Sequence, residues 1–242
     1  MPDFRDAQER VAQVFDKRIG FIVGATRWGT AWVQQCLDAH PDVCAKGEGH
    51  FTDILFPQVA ELIEDYNGQC EKISNRLEVA GLPAGQAGFT YDDTDHLLRN
   101  ALGLTFARWL AAGDVPCLVE KTPEQVVSLD ILSRIVPEAR FIHVVRDGRD
   151  EALAAWEFNL GLSRGEFPQT YPTFADFVEV FAGNWNRSID AARRFARVHG
   201  ARIIQVRAED ITRDPMREAR GLFQFLEIDG DTDLLRACAD TA

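Results

Sequence analysis

The sequence has no long apolar run, which excludes one class of protein at the outset. None of the hydrophobic stretches in its 242 residues reaches the length that a membrane-spanning helix needs, about 18 residues. The N-terminal segment 1–18 is charged throughout and has no continuous apolar centre, so it does not read as a secretion signal. It predicts an amphipathic helix, and a cytoplasmic protein is expected.

Basic residues are also scarce, since 26 Lys and Arg stand against 38 Asp and Glu, for a net charge of −12. Proteins that bind nucleic acid generally carry the opposite excess, because Lys and Arg supply the affinity for a phosphate backbone. A nucleic-acid partner is therefore not expected. An anionic small molecule remains compatible with the sequence, because it needs only a local positive pocket.

The cysteines form no recognisable pattern. They are odd in number and contain neither a CxxC pair nor a zinc-type spacing, so we expect reduced, buried thiols. The five are Cys36, Cys44, Cys70, Cys117 and Cys238.

Short apolar runs that end in polar or glycine-containing turns are the main structural signal. They predict strands at 18–23, 117–119, 140–145 and 202–206. Helical stretches are predicted at 30–39, 124–135, 150–158 and 174–198. This alternation predicts an α/β fold of three layers, with a mainly parallel sheet flanked by helices on both faces. Ligands of such sheets bind beyond the carboxyl ends of the strands, where this sequence carries its notable polar residues.

The length is compatible with a single domain spanning residues 1–242. Only the stretch 67–95 departs from the general pattern, because it is rich in glycine and acidic residues, contains Pro83 and has weak periodicity. It is predicted to be an irregular insertion or a lid.

A glycine-bounded turn follows the first predicted strand. Gly24 and Gly29 are separated by four residues, as in a phosphate-binding loop, and a helix is predicted to begin near Thr30. A helix N-terminus offers unpaired N–H groups and a partial positive charge, which suit phosphate or sulfate. The lysine that nucleotide triphosphatases carry after this loop is absent, so ATP hydrolysis is disfavoured. A simple tight turn is the alternative interpretation.

This loop, GATRWGTAW, resembles the 5′-phosphosulfate loop of sulfotransferases that use 3′-phosphoadenosine-5′-phosphosulfate (PAPS), where bacterial members read close to G-x-P-R-S-G-T-T-W-L. The resemblance implies a P-loop-like transferase fold and a donor site in this loop. Trp28 and Ala31 replace hydroxyl residues, which implies greater reliance on backbone N–H groups. The residues at matching positions are Arg27, Gly29, Thr30 and Trp32.

A second resemblance, in RFIHVVRDGRDEALAAW, is to the segment of the family that binds the 3′-phosphate. It implies that Arg146 is a ligand of that phosphate. The family places a Ser eight residues later, where this sequence has Ala154, so one phosphate ligand is missing. The alternative is that Arg146 belongs to a surface ion-pair network with Arg149, Asp147 and Asp150.

A third resemblance, in VRAEDITRDPMREARGLFQFLEI, is to the family's R-x-E-D-L-x-x-D-P stretch. Glu209 and Asp210 are expected to cap and pair locally there. The similarity runs from about Arg18 to Ile228, with a gap over the lid. The Gly-x-x-Gly-x-Trp segment that often closes over the donor does not occur before Ala242, so either this member lacks that flap or the sequence is a shortened one.

Two segments resemble the glycan-modifying branch of the family. AKGEGHF resembles its K-E-x-H-F-F segment, which implies that Glu48 is the base, with His50 as the substitute candidate. In an extended chain, side chains two residues apart face the same way. The alternative is that Glu48 pairs with Lys46 or an arginine while His50 packs.

The tetrapeptide EKTP resembles a strand end beside the reacting centre in the same branch, which implies that Lys121 stabilises the bridging oxygen or orients the acceptor. A solvated loop lysine is the alternative. Arg27 would stabilise the leaving phosphate together with helix N–H groups, so no metal is expected. His143, in mid-strand, is expected to be a core residue.

The resemblance implies transfer of a sulfuryl group from PAPS, with PAP as the product, to a hydroxyl or amine of a small-molecule or glycan acceptor, such as a sugar, lipid or secondary metabolite. The predicted lid would lie on the acceptor side, and a homodimer is left open. Two other functions also stay open. One is a non-catalytic nucleotide-binding descendant of the family, and the other is a small-molecule P-loop kinase.

Overall fold

Five strands and the helices between them form the described part of the chain, which in this computed structural model comprises residues 3–24, 29–85, 88–111, 113–163 and 165–240. The strands are β1 (Arg18–Gly24), β2 (Val43–Gly47), β3 (Cys117–Lys121), β4 (Arg140–Val145) and β5 (Ile203–Arg207). The helices are α1 (Phe4–Phe15), α2 (Gly29–Asp38), α3 (Phe56–Val79), α4 (Tyr91–Leu110), α5 (Leu129–Ile135), α6 (Gly148–Leu162), α7 (Glu166–Thr170), α8 (Phe174–His199), α9 (Ala208–Arg213), α10 (Pro215–Leu226) and α11 (Thr232–Asp240). A π-helical turn covers Phe51–Leu55, and 3₁₀ turns cover Pro123–Ser128 and Gly200–Arg202.

All neighbouring strands of the sheet run parallel, in the order β2-β3-β1-β4-β5. The chain places β2 and β3 on one side of β1, and β4 and β5 on the other side. The direction of winding therefore reverses at β1, and ligands of open parallel sheets bind at such a reversal, beyond the carboxyl ends of the strands. The predicted α/β fold with a parallel sheet is confirmed.

Each face of the sheet carries its own hydrophobic core. Successive residues of a strand point to opposite faces, so Phe21 and Ile22 belong to different clusters, as do Phe141 and Ile142. Phe21 stacks on Phe141, with ring centroids 5.7 Å apart. Helices cover both faces, which confirms the predicted three layers.

Most of the predicted elements are present, but β2 and α4 were not predicted, and the helix predicted at 124–135 is a 3₁₀ turn as far as Ser128. The strands predicted at 18–23 and 140–145 and the helix at 174–198 agree with the structure to within one residue. Strand β2 lies at the edge of the sheet and buries only two side chains, Val43 and Ala45. Its apolar signal was therefore too short to distinguish it from a loop.

The prediction of an irregular stretch at 67–95 was wrong. Helix α3 continues to Val79 and α4 begins at Tyr91, so most of this stretch is helical. The buried residues of α3 are Phe56, Ile63 and Cys70, which recur every seven positions and form one narrow stripe. The rest of the helix is largely solvent-facing, which explains its weak periodicity. A lid function for this region stays a prediction.

The N-terminal segment and four of the five cysteines follow the expectations. Helix α1 is amphipathic and buries Val11 and Val14, as predicted for the N-terminal segment. All five cysteines are free, and four of them are buried while Cys44 is half-buried. Within the described ranges, no helix is both long enough and apolar enough to span a bilayer.

Candidate functional site

The carboxyl ends of the strands bring the predicted site residues to one edge of the sheet. Glu48 follows β2, Lys121 ends β3 and Arg146 follows β4. Gly47 lies opposite Lys121 in the register of β2 and β3. The next residue along the chain, Glu48, therefore lies beside the Lys121 side chain.

Glu48 and Lys121 form an ion pair in which Lys121 Nζ donates to Glu48 Oε1. The Lys121 side chain is only 15% exposed, so the alternative of a solvated loop lysine is wrong. Lys46 pairs with Asp38 at 2.8 Å, so the alternative in which Glu48 pairs with Lys46 is wrong as well. The hydrogen bond from Lys121 holds the pKa of Glu48 below its usual value, which keeps this carboxylate ionised at neutral pH.

His50 lies close to Glu48, but not because the chain is extended as predicted. The chain is not extended here, because β2 ends at Gly47 and His50 has a left-handed backbone with φ 46°. His50 Nε2 nevertheless lies 3.4 Å from Glu48 Oε2, and Nδ1 lies 2.7 Å from Asp53 Oδ2. The hydrogen bond with Asp53 raises the pKa of His50. The alternative that His50 merely packs is therefore wrong, and the contribution of Asp53 was not foreseen.

A cavity of about 420 Å³ lies between the Glu48–Lys121 pair, the start of α2 and the middle of α6. Sequence reasoning had named half of its lining. It missed Glu124, in the 3₁₀ turn after β3, and Asn159 on α6, because no motif marks them. The lining residues are Thr30, Ala31, Glu48, Lys121, Pro123, Glu124, Ala155 and Asn159.

The two glycines of the predicted phosphate loop are required by close packing against β4. Gly24 has φ 113°, and a Cβ atom there would lie 2.2 Å from the carbonyl oxygen of Val144. A Cβ atom on Gly29 would lie 2.5 Å from Val144 Cγ1. The loop therefore begins and ends where only glycine fits. Arg27 and Trp28 lie between them, outside the described residues, so their roles stay predictions.

The start of α2 faces the cavity with its first turn. Thr30 and Ala31 line the cavity, and Thr30 is almost fully buried. The backbone N–H groups of a first helical turn have no partner within the helix, so they can bind an anion. Trp32 is different, because its side chain packs in the hydrophobic core. Only its backbone N–H is left to reach a ligand.

Arg146 stands half-buried at the end of β4 and makes no ion pair or hydrogen bond with any residue that the structure describes. The ion pair that forms nearby joins Arg149 to Asp147, at 2.6 Å. Of the four residues of the alternative network, only Arg149 and Asp147 form an ion pair. A half-buried guanidinium with no partner suits an anionic ligand.

The third segment that resembles the family, which contains Glu209 and Asp210, contacts the chain directly after Arg146. Asp210 pairs with Arg213 at 2.9 Å and Glu209 with Arg207 at 3.5 Å, so the local pairing is as predicted. Glu209 Oε1 also accepts the backbone N–H of Asp147 at 2.7 Å, a contact between distant segments that was not predicted. Ala154 is half-buried on α6, one residue before Ala155, which lines the cavity.

His143 is a core residue, as predicted. It is 3% exposed in β4, and burial lowers its pKa to about 4, so its imidazole is neutral at physiological pH. It lines a second cavity of about 250 Å³ between the sheet and α8.

Comparison with known proteins agrees with this fold. A model described as the sulfotransferase family matches residues 21–233. The chain is 26% identical over 215 residues to a protein-tyrosine sulfotransferase 1 from Danio rerio, which covers 88% of this chain and 54% of that protein. The matched region spans between about a quarter and about half of the length of such curated relatives.

Solved structures are similar in fold at low identity. A sulfotransferase from Mycobacterium tuberculosis H37Rv superposes with a TM-score of 0.57 at 15% identity, covering 98% of this chain and 74% of that one. The sulfotransferase domain from the Synechococcus PCC 7002 olefin synthase superposes with a TM-score of 0.56 at 20% identity, covering 91% and 78%. Because the family model matches most of the sequence, the chain belongs to the sulfotransferase family.

Proposed function

We propose that this protein transfers a sulfuryl group from PAPS to a hydroxyl or amine of an acceptor. The observation that carries the proposal is the Glu48–Lys121 pair, which lines one cavity together with the first turn of α2. A carboxylate, an ammonium group and a helix N-terminus can supply the base and the charge stabilisation that an in-line sulfuryl transfer uses.

The residues present fit a donor that carries one phosphate group on the 5′ oxygen and another on the 3′ oxygen of its ribose. The first turn of α2 offers N–H groups at the end of a loop bounded by two glycines that close packing requires. Arg146, after the neighbouring strand β4, offers a guanidinium that has no partner among the described residues. We propose that Arg27, Gly29, Thr30 and the backbone of Ala31 and Trp32 hold the 5′-phosphosulfate. Arg146 would hold the 3′-phosphate. When bound, PAPS supplies the sulfuryl group and leaves as PAP.

Glu48 is the better placed base. Its Oε1 accepts from Lys121, whereas Oε2 lies 3.4 Å from His50 Nε2 and would receive the proton from the acceptor. The lowered pKa of Glu48 keeps it ionised, while Asp53 favours the protonated form of His50, which cannot act as a base. Lys121 then neutralises negative charge on the bridging oxygen, and Arg27 would do so on the leaving phosphate.

The acceptor is proposed at the level of its reacting group. Glu124 and Asn159 give the cavity polar walls, which suits a hydroxyl-bearing molecule such as a sugar or a secondary metabolite. Several curated relatives are protein-tyrosine sulfotransferases by name, so a phenolic hydroxyl belongs among the acceptors to be tested. Five free cysteines support a cytoplasmic site of action, where thiols stay reduced.

A thermal-shift comparison of PAP, PAPS, ATP and GTP tests the donor class. Ligands that bind the folded state raise the melting temperature by mass action, so PAP and PAPS should do so while ATP and GTP with magnesium should not. Stabilisation by ATP instead would favour the kinase alternative. Binding of PAP without any turnover of PAPS would favour the non-catalytic alternative.

A further inference from the structure

A buried carboxyl group lies next to the segment that carries Glu48. Glu120 is 0% exposed, and its Oε1 accepts hydrogen bonds from the backbone N–H of Gly49 at 2.7 Å and from the Thr122 hydroxyl. The oxygen of that hydroxyl accepts the backbone N–H of His50 at 3.4 Å. Two consecutive backbone groups directly after Glu48 are thus tied to the end of β3.

We propose that Glu120 is a positioning residue that holds Glu48 against Lys121 by binding the backbone of the segment 48–50. The proposal rests on the proposed function, because it assigns a purpose to Glu120 only if Glu48 is the base. It adds a residue that acts through the backbone and touches no substrate.

The segment 48–50 needs such an anchor because the sheet ends before it. The ladder between β2 and β3 stops at Gly47, opposite Lys121, so no strand pairing fixes Glu48. His50 then adopts the left-handed backbone region, which is unfavourable for a residue with a side chain. Hydrogen bonds from outside the segment are therefore what keeps Glu48 in place.

The chemistry of Glu120 predicts which substitutions the anchor tolerates. Burial raises the pKa of Glu120 to about 7, against hydrogen bonds from Thr122 and Gly49 and the nearby charges of His50 and Lys121. Both accepted hydrogen bonds go to Oε1, and Oε2 has no hydrogen-bond partner among the described residues. An amide oxygen can accept the same two hydrogen bonds. Glu120→Gln should therefore preserve the anchor, whereas Glu120→Leu should remove it.

Steady-state kinetics of Glu120→Leu and Glu120→Gln test the role, with Ser133→Ala as a matched control. Ser133 is another buried polar residue, but it bonds to Arg202, away from this segment. We expect Glu120→Leu to lower kcat at least tenfold with an unchanged KM for PAPS. The acidic limb of its pH–rate profile should move to higher pH, because Glu48 separates from Lys121. Glu120→Gln and Ser133→Ala should stay within threefold of the wild type.

Hydrogen exchange at the Gly49 amide tests the anchor without reference to catalysis. Exchange should accelerate in Glu120→Leu and stay slow in Glu120→Gln and Ser133→Ala. Equal exchange in the wild type and Glu120→Leu would overturn the proposal. Faster exchange with an unchanged kcat and acidic limb would overturn it too, since the anchor would then not position Glu48.

Two further outcomes, an unfolded Glu120→Leu variant and an inactive wild type, lead to different conclusions. If Glu120→Leu does not fold, Thr122→Val removes the hydroxyl that bridges Glu120 and His50, and it should accelerate hydrogen exchange at the His50 amide and lower kcat. No change in either quantity would overturn the proposal. Absence of sulfuryl transfer by the wild type would instead be a failure of the proposed function, and the exchange comparison would still decide whether the anchor exists.

Discussion

Lys121 donates a hydrogen bond to Glu48 although the two are 73 positions apart in the sequence. The parallel register of β2 and β3 makes them neighbours, because it places Gly47 opposite Lys121. A candidate base and a candidate electrophile are thereby held side by side at one end of the sheet.

The first prediction concerns the effect of this pair on pH dependence. Lys121→Met should raise the pKa of Glu48, because the hydrogen bond and positive charge that favour its ionised form are lost. A larger share of the base is then protonated at a given pH, so the acidic limb of kcat/KM should move to higher pH. kcat should fall about a hundredfold, as for other losses of a charge-stabilising donor.

Lys46→Met is the matched control for that experiment. Lys46 lies on β2 but pairs with Asp38 and does not line the cavity. Its substitution should leave both the rate and the acidic limb unchanged. An acidic limb that stays in place in Lys121→Met would contradict the account of the pair.

The second prediction separates the two candidate bases. Glu48→Gln should lower kcat by about a hundredfold or more while PAP binds with nearly unchanged affinity, because a base acts in the transition state and not on the donor. His50→Ala should lower kcat only slightly. The contact with Asp53 favours the protonated form of His50, which cannot act as a base. Rapid-quench rates together with calorimetry of PAP binding check both. A crippling His50→Ala with a mild Glu48→Gln would exchange the two roles.

The third prediction tests the proposed 3′-phosphate site. Ala154→Ser should tighten PAP binding, since a hydroxyl placed at this phosphate adds a charge-assisted hydrogen bond, worth about 1.5–3 kcal/mol in good geometry. Calorimetry should show no gain for adenosine 5′-phosphosulfate, which lacks the 3′-phosphate. Leu153→Ser is the control, because that neighbouring side chain is exposed. An equal gain for both ligands, or none, would mean that position 154 does not face the 3′-phosphate.

The fourth prediction concerns stability at the start of α2. Gly29→Ala should lower the free energy of unfolding by about 1–3 kcal/mol, because its methyl group would overlap Val144 Cγ1. Adding Val144→Ala should make the double variant more stable than the sum of the single effects. Gly161→Ala, in open space on α6, should be neutral or slightly stabilising. Urea denaturation measures all four variants, and strict additivity would contradict the packing argument.

Local patterns were enough to predict most of the fold. The strands at 18–23 and 140–145 lie in the middle of the sheet, where burial on both faces gives an unbroken apolar run. Strand β2 and helix α3 were missed because each buries few side chains, so neither leaves a clear period in the sequence. Helix α4 was not predicted either, although it buries Leu98, Leu102 and Phe106, so low burial explains only part of what was missed.

The candidate site was predictable in part. Glu48 and Lys121 could be named because they fall in segments that resemble known motifs, and parallel strands bring such segments together. The support around them could not be named. Asp53 reaches His50 only because of a left-handed turn, and Glu120 reaches Gly49 only because the chain bends back after β2. Contacts that depend on one irregular turn leave no periodic signal in a sequence.

Transfer of labelled sulfate from PAPS to a mixed panel of sugars, phenols, amines and a tyrosine-containing peptide is the most direct test of the central claim. The account predicts that the wild type labels at least one class of acceptor and releases PAP in equal amount, and that Glu48→Gln does neither at a comparable rate. Tight binding of PAP with no labelled acceptor and no PAP released from PAPS would contradict it, and would identify a protein that binds the nucleotide without catalysis.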